Sequence, residues 1–96
     1  MIDNAGAQDI ASMIRQSRHL RELHLDFNQI GDAGAAAIAD ALKTNSALEF
    51  LDLRGNAIGP DGGRALAQAL AINRGLRILH LGGCSIERKI CPPPPL

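Results

Sequence analysis

One apolar pattern is written three times at a fixed interval, and that recurrence constrains the fold more than any other feature. LRELHLDFNQIG begins at Leu20, LEFLDLRGNAIG at Leu48 and LRILHLGGCSI at Leu76, a step of 28 residues each time. Each copy fits L-x-x-L-x-L-x-x-N/C-x-I. A unit this short cannot bury its apolar side alone, so neighbouring units must cover one another in a stack.

Within the first full unit, Leu23 and Leu25 alternate with Glu22, His24 and Asp26, the period-two pattern of a half-buried strand. Asn28 and Ile30 follow, and Gly31-Asp32-Ala33-Gly34 opens a helix in which Asp32 suits the positive end of the helix dipole. Ile38, Ala41 and Leu42 share one helical face, and Asn45 stands where a left-handed helix cap is expected. The second unit repeats this plan with Pro60 at the first helical position, then Leu66, Ala69, Leu70 and Asn73. Gly34 and Gly62 share a register, which predicts close approach of helix to strand. The pattern also runs backwards: Ile2, Gly6, Ile10, Ala11 and Ile14 match Ile30, Gly34, Ile38, Ala39 and Leu42. The expected organisation is a partial repeat (helix half) over 2–19, full repeats over 20–47 and 48–75, a strand half over 76–86, and a proline-rich non-repeat tail over 87–96. Pro92 to Pro95 in that tail read as polyproline II, a form read by dedicated binding domains.

The 28-residue unit, with Asn-x-Ile-Gly-x-x-Gly and an alanine-rich helix, resembles the ribonuclease-inhibitor class of leucine-rich repeat. That class occurs in NOD-like receptors and in Ran GTPase-activating protein. The resemblance covers residues 2–86 and implies an α/β leucine-rich-repeat solenoid, a short horseshoe segment with a parallel concave sheet and outer helices. Leu23, Leu51 and Leu79 would form one inward row, and Leu25, Leu53 and Leu81 the next. Asn28 and Asn56 would form a ladder that satisfies turn backbone groups, with Cys84 continuing it.

The totals narrow the function. Ten basic and ten acidic residues balance, so nothing pulls generically on nucleic acid or anionic lipid. With two Phe and no Tyr or Trp, base-stacking platforms are also not expected. No apolar run reaches the ~20 residues that span a bilayer. The absence of a signal-peptide pattern, with only Cys84 and Cys91 as cysteines, predicts a reduced, cytoplasmic chain.

The outward strand residues give three columns on the concave face: Glu22, Phe50, Ile78; His24, Asp52, His80; and Asp26, Arg54, Gly82. Partner binding is expected on Glu22, His24, Asp26, Phe50, Asp52, Arg54, Ile78 and His80, with Phe50 beside Ile78 as the apolar anchor. His24, Asp52 and His80 carry metal-ligand chemistry, but the outer two lie two strands apart, so they read as an electrostatic ladder and no metal or other cofactor is expected. Asp26 opposite Arg54 reads as a surface ion pair. No nucleophile motif, phosphate loop or HExxH is present, which points away from an enzyme. The chain thus reads as a non-catalytic module that binds a protein partner on its concave face, as a fragment of a longer array. The alternatives are a regulator of the Ran GTPase-activating type, or a truncated product without independent function. Uncapped solenoid ends would favour self-association, with the strand of residues 76–81 as an exposed edge.

Overall fold

The copies that begin at Leu20 and Leu48 each fold as a three-residue strand, a turn and a helix. The computed structural model describes residues 2–81 and the backbone of residues 85–87. Helix α1 spans Asn4–Gln16, α2 spans Asp32–Leu42 and α3 spans Pro60–Ile72; the strands are β1 (Glu22–His24), β2 (Phe50–Asp52), β3 (Ile78–His80) and β4 (Ser85–Glu87). The sheet runs β1-β2-β3-β4. Its first three strands are parallel, with Leu23 opposite Leu51 and Leu51 opposite Leu79. Parallel neighbours need a crossover connection, and α2 and α3 supply it. No helix among the described residues is long and apolar enough to cross a membrane.

The leucine rows behave as their periodicity predicts. Leu51, Leu53 and Leu79 are fully buried, as are Leu25, Leu48 and Leu76. Ile38, Ala41 and Leu42 of α2, with Leu66 and Ala69 of α3, close the core from the helix side. Alanines at Ala7, Ala11, Ala35 and Ala39 let adjacent helices lie close. Leu23, by contrast, is only half-buried, since among the described residues no strand pairs with the other side of β1.

Two asparagine ladders tie one repeat to the next. In the first, Asn28 donates to the carbonyls of Leu25 and Asp26 and accepts from the Ile2 N–H at 2.9 Å. Asn56 donates to Leu25 O (2.8 Å) and Leu53 O (2.9 Å) and accepts from the Ile30 N–H. The second ladder differs from the sequence expectation. Asn45 and Asn73 are not left-handed caps: the positive-φ residues are Phe27 and Gly55. Asn45 is instead buried and donates to Ile14 O (2.7 Å) and Ser17 O (2.9 Å), while its Oδ1 accepts from the Ala47 and Leu48 N–H groups. Asn73 does the same one unit later, with Leu42 O, Asn45 O and the N–H groups of Gly75 and Leu76.

Helix starts are capped across repeats. The N-cap residues of α2 and α3 are Gly31 and Gly59, which have no side chain to cap with. Asn4 of α1 accepts from Gly31 N–H (2.8 Å) and Gly34 N–H (2.9 Å). Asp32 of α2 then accepts from Gly59 N–H (2.6 Å) and Gly62 N–H (3.0 Å). Among the described helices only α1 is capped locally, by Asp3 on Gly6 N–H. This explains the Gly-x-x-Gly motif. A Cβ at Gly34 would sit 2.8 Å from Asn4 Oδ1 and 2.9 Å from Ala7 Cβ, and one at Gly62 2.8 Å from Asp32 Oδ1. The close approach is therefore chiefly between neighbouring helix starts, rather than helix to strand as the shared register suggests.

After Leu81 the pattern departs. β4 turns back and pairs antiparallel with β3, placing Ile86 opposite Leu79. It lies across the expected junction between residues 76–86 and 87–96. The edge expected to be exposed at residues 76–81 is thus covered by β4. The expectations for Gly82, Cys84, Cys91 and Pro92 to Pro95 lie outside the described residues.

Candidate functional site

Because strand side chains alternate, Glu22, His24, Phe50, Asp52, Ile78 and His80 leave the sheet on the face opposite the helices. Registers pair Glu22 with Phe50 and Ile78, and His24 with Asp52 and His80, as the columns predict. The side chains do not stay within those columns. The Phe50 ring leans between the two histidines, with its centroid 5.0 Å from that of His24 and 5.3 Å from that of His80. Tilted rings at such separations are in favourable contact. The result is one aromatic row across three strands, with Phe50 half-buried at its centre.

Asp52 is the least accessible member of this face, with 2% of its surface exposed. Its carboxylate accepts from the Arg54 backbone N–H (3.0 Å), from Arg54 Nε (3.0 and 3.2 Å) and from Arg54 Nη2 (2.7 Å). Arg54, in the turn after β2, therefore pairs with Asp52 of its own repeat, rather than across to Asp26 as the column expectation had it. The guanidinium hydrogen bonds hold the Asp52 carboxyl below the usual carboxylate range, against the opposing effect of its burial. The same hydrogen bonds raise Arg54 above its ordinary value. Arg54 remains exposed, so the pair presents a fixed guanidinium to solvent while the carboxylate is withdrawn. His24 Nε2 lies 3.4 Å from Glu22 Oε1 on the same strand.

The structure brings His24, Asp26 and Asp52 together, with one ligand atom from each within 4.8 Å of the others. His80 is not in this set, although the sequence groups it with His24 and Asp52. A cation at this point would have to draw the Asp52 carboxylate away from the Arg54 guanidinium, so the donor set is already largely committed within the protein.

One residue escapes sequence reasoning. Phe27 follows the strand face, is 71% exposed, and has φ 57°, a left-handed conformation that a bulky side chain rarely adopts. Its ring lies against Gly55, where an added Cβ would come within 2.5 Å of Phe27 Cδ1. Gly55 holds the same register position one repeat on and takes φ 74° without strain. A phenylalanine in a glycine slot was the visible signal.

Comparison with known proteins adds the wider context. No curated protein matches the chain. Among similar solved structures is one described as Leiomodin-1 Actin-Binding Site 2 (ABS2), at 30% sequence identity and a TM-score of 0.78. The match covers 82% of this chain and 47% of that one, so the chain spans about half the length of that structure. A family model described as Leucine Rich repeat matches residues 16–39 and 44–67, half of the chain, and lies over the strand–turn–helix units. By that match the chain belongs to the leucine-rich repeat family.

Proposed function

We propose that this chain is a non-catalytic protein-interaction module that docks a protein partner on the helix-free face of its sheet. The observation that carries the reading is the aromatic row of His24, Phe50 and His80, flanked by Ile78 and by the fixed guanidinium of Arg54. A half-buried aromatic on a face that also presents a positioned arginine has the residue types of binding hot spots. Glu22, Asp26 and the strained Phe27 form the rim of the same surface. The similarity to an actin-binding site makes actin the first partner to test. Within the family we assign the chain to the ribonuclease-inhibitor class on its 28-residue step, as a cytoplasmic segment of a longer, curved array with a concave sheet. Its units would be 2–19, 20–47, 48–75 and 76–86, followed by a tail over 87–96.

The test is binding of the chain to monomeric and filamentous actin by cosedimentation and by a fluorescence titration. Binding weakened more than tenfold by Phe50→Ala, the loss expected of an aromatic hot spot worth about 2 kcal/mol, supports both partner and face. Binding that Phe50→Ala leaves unchanged rejects the face. No binding beyond that of a control protein rejects actin.

A further inference from the structure

The balanced net charge conceals a separation of charge between the two rims of the stack. The loops that run from helix ends to strand starts, residues 17–21, 43–49 and 73–77, form one rim. It carries Arg18, Arg21, Lys43, Arg74 and Arg77, all exposed, against the single carboxylate of Glu49. The opposite rim, at strand ends and helix starts, carries Asp26, Asp32, Asp52 and Asp61. A 13-residue helix sets the rims about 20 Å apart. That exceeds the screening length of ~8 Å at physiological salt, so the acidic rim does not neutralise the basic one. Cations at helix ends commonly offset the helix dipole. This accounts for Lys43 at the C-cap of α2, and for Arg15 in the last turn of α1, which is also ion-paired with Asp40. It does not account for Arg18, Arg21, Arg74 and Arg77, which stand beyond the helix caps and have no ion-pair partner among the described residues. Further repeats would lengthen this rim rather than cover it, because units add along the sheet.

We propose that this rim binds an acidic, extended segment of a protein partner, at a surface separate from the helix-free face of the sheet. Register orders the groups that would meet it. The Glu49 N–H donates to Arg21 O at 2.7 Å and the Arg77 N–H to Glu49 O at 2.8 Å. Arg21, Glu49 and Arg77 thus stand side by side, with the two arginines about 10 Å apart. Arg18, Ser46 and Arg74 repeat the pattern at the preceding register position. Between the first two loops lies a polar cleft of about 420 Å³, lined by Arg15, Ser17, Arg18, Thr44 and Ser46, where an acidic side chain can enter. Carboxylates three residues apart in a polyproline II segment, a common form of unstructured chains, share one side at a spacing of about 9 Å. They match the arginine spacing and leave the intervening positions free. Glu49 selects a peptide over a nucleic acid. A nucleic-acid backbone carries charge at every step and would set a phosphate against Glu49, whereas a peptide can place a neutral residue there.

Fluorescence anisotropy with the full 96-residue chain tests this, with circular dichroism verifying that each variant is folded. Two labelled probes are compared: a peptide of glutamates separated by pairs of serines, and a uridine oligonucleotide of equal charge. The peptide should bind more tightly, and added salt should weaken it. The double variant Arg21→Glu, Arg77→Glu should lower peptide affinity by roughly tenfold, since each change replaces an exposed attraction with a repulsion. Asp61→Asn, on the opposite rim, should leave it unchanged. Glu49→Gln should raise binding of the oligonucleotide more than that of the peptide. No peptide binding, peptide binding indifferent to the double variant, or an oligonucleotide bound at least as tightly as the peptide would overturn the proposal.

Discussion

Replacing Asn45 by alanine tests whether the second asparagine ladder holds the repeats together. The substitution removes four hydrogen bonds at once: two donated to Ile14 O and Ser17 O, two accepted from the Ala47 and Leu48 N–H groups. Each buried backbone group left without a partner costs about 1–3 kcal/mol. Ser17 and Ala47 lie partly open and can recruit water, whereas Ile14 and Leu48 are fully buried. Ile14 O keeps the Ser17 N–H at 3.3 Å, so the Leu48 N–H is the group left uncompensated, and the loss is about 1–3 kcal/mol. A domain of this size has a total stability of only about 5–15 kcal/mol, so the midpoint in urea should fall steeply. Asn45→Asp keeps the shape and the acceptor but turns a carboxylate oxygen towards two carbonyls, and should be at least as damaging. Equilibrium urea unfolding followed by circular dichroism measures both. A loss below about 1 kcal/mol for Asn45→Ala, the worth of a single ordinary hydrogen bond, would refute the ladder as a structural tie.

Three further outcomes follow from the same geometry. Gly62→Ala should destabilise by about 1–3 kcal/mol through overpacking, because its Cβ would lie 2.8 Å from Asp32 Oδ1 and 2.9 Å from Ile58 Cγ2. Gly63→Ala, with nothing within 4 Å, should stabilise by about 0.5–1 kcal/mol; thermal melts of the pair decide it. Asp32→Ala should cost about 0.5–2 kcal/mol as a lost helix cap, and Asp32→Asn much less, since Asn4 performs the same task for α2; urea titration separates them. Arg54→Gln should destabilise at neutral pH, and the gap from the parent should close under acid. The folded-state pKa of Asp52 is depressed by Arg54, so its contribution is present above the unfolded carboxyl value and lost as pH falls through the folded one. Unfolding curves between neutral pH and the acid range read this directly.

The parts of the fold legible in the sequence were those that repeat in kind. Leucine rows, helix faces and the Asn28–Asn56 ladder all follow from a residue type recurring at one register, because stacked units place equal positions side by side. Asn45 was misread because an asparagine three residues beyond a helix looks like a local cap, while its bonded carbonyls at Ile14 and Ser17 belong to the preceding unit. The site columns were legible as strand register, but register does not fix rotamers. Arg54 turned to Asp52 of its own repeat, and Phe50 leaned diagonally between two histidines. The reversal at β4 had no periodic signal, since it lies where the repeat pattern ends.

The handing of a cap from one helix to the next gives assembly a direction. A helix nucleus is costly because several residues must be fixed before one bond is gained, and an N-terminal acceptor lowers that cost. Asp3 offers α1 such an acceptor from its own chain segment, while α2 must wait for Asn4 and α3 for Asp32. Order should therefore spread from the amino-terminal unit forward, each helix priming its successor. Pro60 stands in register with Asn4 and Asp32 and has no acceptor side chain to pass on, so the relay stops with α3. Amide exchange should register this as protection that is deepest where a helix receives its cap from the helix before it and gives one to the helix after it, which among α1, α2 and α3 is α2.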